Sequence, residues 1–66
     1  MALSTHRLVQ LHALLDLAEA ESRAYLRRAG LAAAVGNAGT HRYFLSRWSR
    51  FERLVLLCRA RLEAAL

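Results

Sequence analysis

Apolar residues recur at alternating intervals of three and four in both halves of this chain, and that rhythm restricts it to paired helices. In the first half the series is Leu8, Leu11, Leu15, Ala18, Ser22, Tyr25 and Ala29. In the second it is Phe44, Trp48, Phe51, Val55, Cys58, Leu62 and Ala65. At about 100° per residue, each series falls along one stripe of an α-helix. Leu14 and Leu26 widen the first stripe, and Leu54 widens the second. No segment alternates at the two-residue period of a strand, and no proline interrupts either helix.

Local signals place the first helix at about residues 5–29, a connection at about 30–40 and the second helix at about 41–65. Ser4 or Thr5 can cap the first free amides. No Glu or Gln completes a capping box, and Arg7 opposes the helix dipole. Arg27 and Arg28 suit a last turn, with Gly30 as the expected stop. Residues 31–35 have the composition to add a turn or two, but Gly36, Asn37 and Gly39 break any longer helix, and Thr40 is the expected cap of the second. Two helices of equal length on a short linker fold back antiparallel. Tyr25, Ser22 and Ala29 then lie near the loop opposite Phe44 and Trp48. Ala18 faces Phe51 and Val55, while Leu8 and Leu11 face Cys58 and Leu62. Small residues set against large ones let the layers interlock. The expected fold is all-α, a single-domain antiparallel two-helix hairpin.

Such a hairpin has a shortage of interior. A 66-residue chain hides only about 60 % of the surface its unfolded form exposes. Yet 56 % of its residues are apolar, above the ~45–50 % usual in globular domains. Cys58 is the only cysteine, so no disulfide within the chain can compensate. The surplus implies completion by dimerisation or by a partner chain. Ala13, Leu17, Ala20 and Ala24 form a second apolar strip on the first helix, where small side chains would let another helix approach closely. The alternative is that alanine simply suits an exposed helix.

No apolar run approaches the ~20 residues needed to span a bilayer. Leu54 to Cys58 is the longest compact one, and Arg59 ends it. Asp16, Glu19 and Glu21 interrupt any signal-peptide core, so the expected location is cytoplasmic, with Cys58 a reduced thiol.

The net charge is +5, and all ten cationic side chains are arginine. Either a guanidinium surface serves phosphates or carboxylates, or a GC-rich genome has replaced lysine. Arg42, Arg50, Arg53 and Arg61 fall within about 100° on the second helix, with Arg47 beside them. This basic stripe is suited to nucleic acid, an acidic helix or lipid headgroups, or it serves only to keep an apolar chain soluble.

Catalytic chemistry has no foothold. His12 and Asp16 share a helical face with Glu19 and Arg23, but no further ligand converges there as a structural metal site needs. A solvated face with a local Glu19–Arg23 pair accounts for them. Cys58 lies mid-seam, where desolvation makes a thiol inert, and no histidine on its helix is placed to activate it. His6 and His41, at the helix starts, read as surface residues. The 36–40 stretch lacks the Gly-Lys-Ser/Thr ending of a phosphate loop. No enzyme activity, cofactor or metal is expected.

Gly36 and Gly39 in the loop, Tyr43 opening the second helix and Trp48 soon after give the chain a form that resembles the small co-chaperone family of type III secretion needle subunits. The resemblance covers the whole chain, which departs from that family in its arginine content. It implies a helical hairpin that pairs with a larger helical-repeat chaperone through its apolar faces, keeping the needle protein soluble. The loop region also resembles the helix-turn-helix of tetracycline-repressor-like regulators, through Ala32 and Gly36, then Gly39-Thr40, Tyr43-Phe44 and Ser46-Arg47. That match needs two single-residue deletions. The leading expectation is a non-enzymatic protein-interaction hairpin, self-associating or paired with another chain. The alternative is a nucleic-acid binder, either a four-helix dimer or a helix-turn-helix. A membrane-surface peptide ranks third, on Tyr43, Phe44 and Trp48 among arginines.

Overall fold

A computed structural model describes residues 3–65. Two helices, α1 (Thr5–Ala34) and α2 (Ala38–Ala65), make up the described fold, and no strand occurs among the described residues. They lie antiparallel as an all-α hairpin, a rod of 49 × 14 × 12 Å. Its radius of gyration is 15.0 Å, against about 11 Å for a compact domain of this length.

Ser4 opens α1: its hydroxyl accepts from the Arg7 amide at 3.2 Å. The far end corrects the expected boundaries. Gly30 does not stop the helix, which continues to Ala34, and Arg27 and Arg28 therefore lie short of its last turn. An interior glycine costs only about 1 kcal/mol relative to alanine. The alanine run that follows has the best helix propensity, and Ala32 is buried against the partner helix. What ends α1 is Gly36, whose φ of +75° is the left-handed conformation a helix terminus needs. The Gly36 amide donates to the Ala33 carbonyl at 3.0 Å and the Asn37 amide to the Ala32 carbonyl at 2.9 Å, a Schellman closure.

The same residue that completes this closure begins α2. The Asn37 side-chain carbonyl accepts from the Thr40 amide at 3.1 Å, and its backbone carbonyl takes the His41 amide at 3.0 Å. Asn37, not Thr40, is the cap. The connection is thus three residues, Val35 to Asn37, in place of the eleven expected at 30–40.

Side-chain burial follows the two seams. Leu11, Ala18, Ser22 and Ala29 of α1 are buried, as are Val55 and Cys58 of α2. Ala32 extends the first series by one further three-residue step. Near the loop Tyr25 stacks on Phe51 with centroids 5.5 Å apart and meets Phe44 at 6.1 Å. Trp48, expected in that contact, is half-buried at the seam's edge. No large side chain among the described residues is completely buried.

Candidate partner-binding surfaces

Polar contacts lock the helices along one broad side of the hairpin. His41 has its ring Nδ1 2.8 Å from the Ala29 carbonyl; a carbonyl can only accept, so Nδ1 carries the proton. Buried Ser22, 2 % exposed, donates its hydroxyl to the Glu52 carboxylate. Farther from the loop, Arg59 meets Glu19 at 2.8 Å. Glu19 thus pairs across the hairpin, not with Arg23 along its own helix. None of these three contacts was readable from periodicity alone; the one signal was a serine occupying a seam position.

The strip proposed on α1 lies away from this seam. Ala13, Leu17 and Ala20 are exposed, and Ala24 is half-buried. Leu17 leaves 60 % of its surface in water. Exposed Val9 and Leu31 continue the strip at helical spacing toward both ends of α1. The strip expected from the sequence, Ala13 to Ala24, includes neither, with Leu31 expected in the connection.

The arginine stripe divides in two. Arg42, Arg50, Arg53 and Arg61 project into solvent, whereas Arg47 is half-buried. The Arg47 Nε donates to the Tyr43 hydroxyl at 3.3 Å, and its guanidinium lies 5.5 Å over that ring. That hydrogen bond holds the Arg47 pKa above its already high ordinary value. Arg28 lies 5.1 Å from the Tyr25 ring centre.

A groove opens between the helices on the side opposite the polar contacts. Leu11, Leu14, Leu54, Leu57, Cys58 and Arg61 line it. It adjoins a second depression toward the chain ends, lined by Leu3, Arg7, Ala64 and Ala65 and sharing Leu11 and Arg61 with the first. Leu14 and Leu57 are exposed, Leu57 by 62 %. A separate apolar hollow at the loop end involves Leu31, Val35 and Phe44.

The candidate chemical groups stay apart. His12 and Asp16 are exposed, and no three metal-capable side chains cluster among the described residues. Cys58 is a buried free thiol. Neither described helix is long and apolar enough to cross a membrane. Comparison with known proteins returns no matching family model, no matching curated protein and no matching solved structure.

Proposed function

We propose that this chain is a non-enzymatic protein-interaction hairpin whose apolar surface is completed by another helical chain. The observation that carries the reading is exposed apolar area. Val9, Leu17, Leu31, Val35, Leu56 and Leu57 each leave 60 % or more of their surface in water. Total accessible surface is 4985 Å², where a compact chain of 7.4 kDa would expose about 4,200 Å². The excess is close to the ~800 Å² that one partner contributes to a standard interface.

Sedimentation of the purified chain over a wide concentration range tests this. A mass above 7.4 kDa, reduced by Leu17→Glu on the exposed strip, is the expected result. A folded monomer at every concentration that also captures no protein from its host rejects the reading.

A more specific form is a cytoplasmic co-chaperone of type III secretion needle subunits, paired with a larger helical chaperone. It rests on the resemblance in hairpin form, loop glycines and the placement of Tyr43 and Trp48. The solvent-facing Arg42, Arg50, Arg53 and Arg61 favour a nucleic-acid binder as the second reading. Helices packed side by side along their length suit a four-helix dimer better than a helix-turn-helix, whose helices cross at ~90–120°. A steep loss of DNA binding with added salt would support that reading, and no mobility shift at low salt would remove it.

A further inference from the structure

We propose that the groove between α1 and the C-terminal half of α2 docks an acidic amphipathic helix supplied by a partner protein. This deepens the protein-interaction reading and rests on it. The floor is aliphatic, formed by Leu11, Leu14, Leu54 and Leu57, and Arg61 stands at its wall. Arg7 joins Arg61 where the groove continues toward the chain ends. From Arg7 to Leu14 the α1 wall extends about 10 Å, two helical turns. An incoming helix with apolar residues at i, i+3/i+4 and i+7 would seat on that floor.

Charge selects the sign of the occupant. Arg7 and Arg61 are the charged residues that line the groove; solvent-facing Arg50 lies two turns loopward of Leu57, level with Glu21, and adds nothing there. Glu19 and Glu52 are held on the opposite side by Arg59 and Ser22, and the spacing of Asp16 and Glu63 turns them away from the groove as well. Glu21 is the one acidic residue on the groove side, and it lies two turns of α1 beyond Leu14. A second copy of this chain would bring its own charge of +5 against these arginines. A polyanion would gain nothing from the leucine floor. Carboxylates flanking an apolar stripe satisfy both features, as charge-assisted pairs with guanidinium groups at the rim.

The test is fluorescence anisotropy with a labelled synthetic helix of about four turns, leucine on one stripe and glutamate on both flanks. A second peptide carries lysine in place of glutamate. The glutamate peptide is expected to bind, and more weakly as salt is raised. Arg7→Glu with Arg61→Glu should weaken it about tenfold or more and improve binding of the lysine peptide. Leu57→Gln should weaken it severalfold, whereas Leu26→Gln, exposed on the Glu19 side of α1, should leave it unchanged. Circular dichroism of each variant confirms retained helicity. No binding of the glutamate peptide, or binding indifferent to both groove variants, overturns the proposal. Duplex DNA or phosphatidylserine vesicles that bind more tightly than the peptide and ignore Leu57→Gln also overturn it. If the peptide fails while the native chain still sediments as an oligomer, the docking site is wrong and the interaction reading stands.

Discussion

Gly30 and Gly36 are six residues apart and answer to opposite physics. Gly30 sits inside α1, and a β-carbon there would meet nothing within 4 Å. Gly30→Ala should therefore stabilise the hairpin by about 0.5–1 kcal/mol, removing backbone freedom from the unfolded chain. A rise in Tm of a few degrees checks it. Gly36 is equally uncrowded, but its φ is +75°. Gly36→Ala should cost about 1–2 kcal/mol through backbone strain alone, read as a drop in Tm with helicity retained at low temperature. Trp48 is half-buried, so Trp48→Ala should cost about 1–3 kcal/mol, short of the ~3–5 of a fully enclosed aromatic. Chemical denaturation of the variant gives the value, and a loss above that range would mean Trp48 is enclosed by a partner chain.

At the scale of elements, the spacing of apolar residues was enough to identify both helices, their antiparallel packing and the buried stripe of each. Leu11, Ala18, Val55 and Cys58 are buried where the three-four rhythm puts them. The connection was not legible to the same degree, because three glycines and an asparagine within ten residues all read as breakers. Only one of them takes a left-handed φ. Propensity scores a glycine alike inside a helix and after it, so Gly30 looked like a terminus although Ala32 beyond it is buried. The cross-hairpin contacts were hidden for another reason. Which of several acids and arginines meet depends on the rotation of one helix against the other, and the Glu19–Arg59 distance of 2.8 Å follows from that rotation. Such an exposed pair contributes at most about 1 kcal/mol, so it reports the packing without driving it. The candidate strip was legible in its middle, and the groove was not, since it is made by two helices together.

For the whole molecule, the governing fact is shape. A rod 49 Å long and 12–14 Å across gives each helix one neighbour and leaves its other faces wet, whatever their composition. The seven buried side chains among the described residues are small or medium, and none is larger than leucine. The aromatic residues of the seam are only half-buried, and the apolar area left outside the core is available to stabilise an assembly. Mass action then makes stability depend on how much partner is present.

The most direct measurement is thermal unfolding of the purified chain, followed by circular dichroism at several protein concentrations. Tm should climb with concentration, or a low, shallow transition should sharpen only when a binding partner is added. A cooperative transition above about 65 °C, identical at every concentration and belonging to a 7.4 kDa species, would contradict that expectation.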